Sequence, residues 1–188
     1  MLSNSKTVDI MATESQEKQL IENEIAKIEA SELDQPSKDL ILQVLQDGRK
    51  LSVDEVRRIW KLLSDEQKDK FGLTSRILWL EEGNHRAGRN HILKHKEEFA
   101  NKGIPEEKLD ELAEAATQVG YPAGYQGKGL GRPIVLLYFY NDPVAVAISV
   151  GANGFVVGMN PKNFGQMITK LGISPDVVRE VSSWPRVS

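Results

Sequence analysis

The sequence predicts an α+β protein: a helical N-terminal module followed by helices packed on a small antiparallel β-sheet meander. Two observations carry this. Up to about residue 119 the apolar residues recur at helical spacing between capping signals. From Gly120 onward the pattern changes to glycine-rich turns separating short β-branched and aromatic runs. The 188 residues and 21.0 kDa suit one domain with an extension, or two small ones.

Taken in order, residues 1–14 are polar and aperiodic and are expected to be a disordered tail. Residues 15–83 are expected to form the helical module. Its first helix runs over 15–30, with Leu20, Ile21, Ile25 and Ile28 as a narrow apolar stripe suited to a partner helix. Ser37 opens a second helix, KDLILQVLQDG, which Gly48 can end. Ser52 followed by Glu55 opens a third, VDEVRRIWKLL, and Ser64 followed by Gln67 a fourth, both as capping boxes. The run LTSRILWLEEG, from Leu73, fits this module or the next.

Residues 84–188 are expected to form the α+β domain. GRNHILKHKEEFANKG reads as a helix over 89–101 ending at Gly103, and Pro105 opens another, with acidic residues in its first turn. GYPAGYQGKGLGRP follows, then the strands IVLLYFYN, VAVAISVG and FVVGMN, separated by the turns Asn141-Asp142-Pro143 and Ala152-Asn153-Gly154. Asn160-Pro161 starts a turn, and short helices over 164–171 and 176–182 complete the chain.

Composition narrows the chemistry. The absence of cysteine removes disulfides, thiolate metal sites and a cysteine nucleophile together. No apolar run reaches the roughly 20 residues that span a bilayer, and the N-terminus does not resemble a secretory signal, so the default compartment is the cytoplasm. Net charge is −5 over residues 1–83 and +2 over 84–188. From 121 to 170 the bases Lys128, Arg132, Lys162 and Lys170 face only Asp142, a modest pull on phosphate.

All three histidines fall within eleven residues. On a continuous helix His91 and His95 would lie about 40° apart around the axis, bordering the Ile92 and Phe99 stripe that packs on the sheet. The spacing also suits a zinc helix, but Ile92 stands where HExxH needs its glutamate, and Lys94 would repel a cation. We therefore expect no metal and no cofactor. Metal-free RNA cleavage needs a base for the 2′-hydroxyl, an acid for the 5′-oxygen and cationic or hydroxyl groups around the phosphate. His91 and His95 supply the acid and base in an order the sequence leaves open, with His85 in reserve. Arg86, Arg89 and Lys94 accompany them, and Tyr125, Lys128 and Arg132 come from the glycine-rich segment. Glycine density does not make that segment a nucleotide-hydrolysing loop, because Gly127-Lys128 is followed by Gly129 rather than Ser or Thr.

The order HILKHKEEF, Gly103-Ile104, a second helix, a glycine-rich segment with Gly131-Arg132, strands, and the run GANGFVVG from Gly151 resembles toxin nuclease domains of the barnase, EndoU, colicin and RelE-like group. It is most similar to the colicin D-like tRNase toxins of polymorphic and contact-dependent inhibition systems, over about residues 84–171. The resemblance implies a metal-independent ribonuclease, commonly acting on tRNA and commonly neutralised by a cognate immunity protein or antitoxin. It maps the helical histidine pattern to His91 and His95, a cationic neighbour to Lys94 and the basic residue entering the sheet to Arg132. A later polar position falls on Ser149 or Asn153. The competing expectation is a non-catalytic interaction protein that uses the N-terminal helices to bind another protein.

Overall fold

The computed structural model describes residues 4–127 and 131–186. It is α+β, with N-terminal helices preceding antiparallel sheet. Two compact units divide after Asp54.

The first unit, Met1–Asp54, is built on helices α1 (Asn4–Ala30) and α2 (Gln35–Gln46). α1 begins at Asn4, inside the stretch expected as a disordered tail, and no glycine or proline interrupts residues 4–14. Asp34 caps α2, its carboxylate accepting the Ser37 N–H at 2.9 Å, and Gly48 at φ 74° follows the helix end. α2 buries Ile41 and Val44, whereas Leu20 and Ile21 of α1 stay exposed.

The second unit, Glu55–Ser188, starts 29 residues earlier than the expected boundary, because the third predicted helix does not form. A 3-10 turn at Val53–Glu55 gives way to strand β1 (Val56–Lys61), which pairs antiparallel with β2 (Ile77–Glu81). The capping box at Ser52 was a helix signal, yet Val56, Ile59 and Trp60 suit a strand, and a fully buried partner strand ILWLE decides between them. Between the strands the box at Ser64 does open a helix, α3 (Asp65–Lys70), with Ser64 Oγ accepting the Gln67 N–H at 3.2 Å.

The expected helix over 89–101 is broken in two: α4 (Arg89–Ile92) and α5 (Lys96–Asn101) flank a 3-10 turn at Leu93–His95. α6 (Leu109–Val119) follows. The main sheet then runs β3 (Tyr121–Gln126), β4 (Arg132–Phe139), β5 (Asp142–Val150) and β6 (Val156–Lys162), in that order and all antiparallel. Tyr140 and Asn141, both at positive φ, turn the chain from β4 into β5. Pro161 lies inside β6 instead of starting a turn, which is tolerated because β6 is an edge strand. α7 (Phe164–Leu171) and α8 (Pro175–Val181) complete the helices, and β7 (Ser183–Trp184) pairs parallel with the end of β4.

The sheet is buried on both faces, which explains the near-continuous apolar runs of β4 and β5. One face packs Val135, Leu137, Val146 and Ile148 against Leu112 and Ala116 of α6, Ile92, Phe99, and Leu78 and Leu80 of β2. The other packs Ile134, Leu136, Tyr138 and Ala147 under Phe164, Met167 and Val178 of α7 and α8. That apolar cover stops at the Ile134–Ala147 pair. The next row across the sheet is polar: Gln126 opposite Arg132, and Ser149 opposite Gly158.

Candidate functional site

The polar row is where the candidate residues meet. β4 enters the sheet at Arg132, half-buried, and its Nη1 donates to Asn160 Oδ1 at 2.9 Å. The Asn160 amide in turn donates to Gln126 Oε1 at 2.8 Å, so three strands hold the guanidinium in place. No carboxylate pairs with Arg132 among the described residues, and burial lowers its pKa from the ordinary guanidinium value. A desolvated cation held only by a neutral amide retains its attraction for an anion.

His91 reaches the same point from α4. Its Nδ1 donates to the His85 carbonyl at 2.9 Å, which fixes the ring and, in the neutral form, leaves the lone pair on Nε2. That Nε2 edge lies on Gly158. A Cβ at Gly158 would stand 2.7 Å from His91 Cδ2 and 3.1 Å from both His91 Nε2 and Arg132 Nη2. The two nitrogens are thus within twice that distance of one another, over a position where any side chain would intrude. The backbone reinforces the approach, since the Gly88 N–H donates to the Val157 carbonyl at 2.9 Å.

Beside Arg132 a cavity of about 570 Å³ opens between the C-terminal end of α3 and strands β3 to β5, taking in Tyr125 and Ser149. The Ser149 hydroxyl is buried and, among the described residues, has no hydrogen-bond partner.

Other expected site residues lie differently. His95 sits in the 3-10 turn with Nδ1 2.8 Å from Glu98 Oε1, no longer on one continuous helix with His91. Lys94 and Arg86 are exposed, as is His85, which contributes its carbonyl. Arg89 is committed elsewhere: its Nε donates to Asp110 Oδ1 at 2.9 Å, with Glu106 at 3.7 Å. Asn153 shapes the β5–β6 turn, its Oδ1 accepting the Phe155 N–H at 3.2 Å. Lys128 lies outside the described residues.

Sequence reasoning missed Gly158, Asn160 and Gln126. Gly158 lies inside the expected strand FVVGMN, where nothing in the sequence marks it as a meeting point. Only strand register, which places residues 126, 132, 149 and 158 in one row and Asn160 in the next, opposite Ala147, could have found them.

Among the described residues no group of three or more His, Asp or Glu lies together in a way that could hold a metal ion, and no helix is long and apolar enough to cross a membrane. Compared with known proteins, the chain matches no family model and no curated sequence.

Proposed function

We propose that the second unit is a metal-independent ribonuclease acting by transesterification, with tRNA as the substrate class that the sequence resemblance implies. The observation that carries this reading is the meeting of His91 Nε2 and Arg132 Nη2 over Gly158. Arg132 would grip a phosphodiester through its non-bridging oxygens. His91 Nε2 would take the proton of the adjacent 2′-hydroxyl. The 2′-oxygen then bonds to phosphorus as the bond to the 5′-oxygen breaks, leaving a 2′,3′-cyclic phosphate. By the resemblance His95 would return a proton to the departing 5′-oxygen; its Nδ1 lies 2.8 Å from Glu98 Oε1. One proton is taken and one delivered, so the step balances.

Incubating the folded protein with total tRNA in excess EDTA tests this on a denaturing gel. Discrete fragments are expected from the wild type. His91→Ala should lower the rate by about 100-fold or more, the scale of a lost base, and His91→Ala/His95→Ala further. Intact RNA with folded wild-type protein would reject the reading.

A second reading is favoured by a separate observation. In the first unit Leu20, Ile21 and Ile25 of α1, with Leu42 and Leu45 of α2, line an apolar groove of about 400 Å³. Exposed apolar surface of this kind marks a contact with another protein. The first unit would then be an interaction module, whether its partner is an immunity protein or the chain is not catalytic at all.

A further inference from the structure

The cavity beside Arg132 is larger than a phosphate requires. We infer that it is a nucleobase subsite, holding the base of a nucleotide whose phosphate Arg132 grips. The inference rests on reading the Gly158 corner as a phosphodiester site. At about 570 Å³ the cavity lies within the roughly 300 to 1,000 Å³ of small-molecule sites.

Its walls sort by chemistry. Tyr125, Phe71, Pro133 and Val150 supply aromatic and apolar surface, and Arg132 stands among them. Tyr125 is 49% exposed, and among the described residues no ring or cation covers its face. A tyrosine presented in this way at the side of a cavity is a stacking platform, since every base offers a π-face.

Charge orients the occupant. Asp69 and Lys70 both line the cavity and carry opposite charges, so among the described lining residues Arg132 is the cation left unbalanced. The phosphate belongs at Arg132, and the uncharged base belongs against Tyr125 and Phe71. Ser149 adds to the wall a polar side chain whose buried hydroxyl has no partner among the described residues.

Calorimetric titration of the full chain with inorganic phosphate, ribose 5-phosphate and the four nucleoside 3′-monophosphates tests this. The nucleotides should bind tighter than the sugar phosphate by roughly 5- to 150-fold, the range of one base stacked on an aromatic side chain. Tyr125→Ala should remove most of that advantage, and Tyr125→Phe should restore it, because stacking needs the ring and not the hydroxyl. If phosphate and sugar phosphate bind through Arg132 but the base adds nothing, the subsite is wrong and the phosphodiester site stands. An advantage that survives Tyr125→Ala in full places the base elsewhere and overturns the subsite as well. If neither phosphate nor nucleotide binds the folded protein, the phosphodiester reading fails and takes the subsite with it.

Discussion

Two arginine clusters in the second unit invite comparison. Around Asp110, Arg89 and Arg57 share one carboxylate, each Nε donating to a different oxygen at 2.9 Å, and Glu82 and Glu106 complete the set. Around Gly158, Arg132 has an asparagine for its partner and a histidine for its neighbour. Both clusters are partly buried, so both bear a desolvation cost. In the first the cost is offset by opposite charge, and the cluster fastens α4 and β1 to α6. In the second it is not offset within the described residues, and the proposed phosphate site at this corner rests on that difference. A half-buried arginine reports function only when its carboxylates have been looked for.

The largest effects should separate the clusters by what is lost. Arg132→Ala is expected to reduce RNA cleavage by about 100- to 1,000-fold, the usual result of removing a donor to a charged transition state, with little change in Tm. Arg57→Ala should do the reverse, costing about 1 kcal/mol of stability as Asp110 and Glu82 lose hydrogen bonds to a charged group that is itself one-third exposed. Arg89→Ala then sharpens the comparison. A loss of stability alone leaves Arg89 with the ion pairs, whereas a loss of cleavage from a folded variant returns it to the RNA-binding set.

Gly158→Ala probes the corner without removing a charge. Gly158 is not among the glycines at positive φ, so alanine brings no backbone strain there. Its Cβ would stand 2.7 Å from His91 Cδ2 and push the ring off the sheet. Cleavage should drop by about 10- to 100-fold, the scale of a misplacement near 1 Å, with the fold retained by circular dichroism. Full activity in a folded variant would show that the contact between ring and glycine is not needed.

This contrast also shows what was legible in the sequence. The fold class follows from local signals: the turns at Asn141 and Asn153, the box at Ser64 and the apolar strands of β4 and β5 all act within a few residues. The segment 53–63 misleads because its helix cap is local while its strand partner, β2, lies beyond an intervening helix. The site divides in the same way. His91 and Arg132 stand out by residue type and by their place at the start of an element. Yet Arg89, two residues from His91, looks equally cationic, and the carboxylate that occupies it is 21 residues away on α6. Asn160 and Gln126 are 28 and 6 residues from Arg132 and become its support only through strand register. No spacing in one sequence carries either fact.

The smallest predicted effect lies on α6, one residue beyond Asp110. Burial by itself would raise the pKa of the Glu111 carboxyl. Hydrogen bonds from Tyr140, from Trp184 Nε1 at 3.4 Å and from Lys108 Nζ at 3.3 Å outweigh it and hold the carboxyl below its ordinary value of 4.5. A carboxyl lowered by folding adds stability that is fully present above that ordinary value and is lost as the pH falls through the lowered one. The window therefore lies on the acid side of 4.5. Between pH 7 and pH 3, Glu111→Gln should lose Tm less steeply than the wild type, with slopes differing by on the order of 2 °C over the range. Parallel curves would mean that the three donors only orient the α6 carboxylate. An altered cleavage rate at neutral pH would mean that the β7 end of the sheet is coupled to the Gly158 corner.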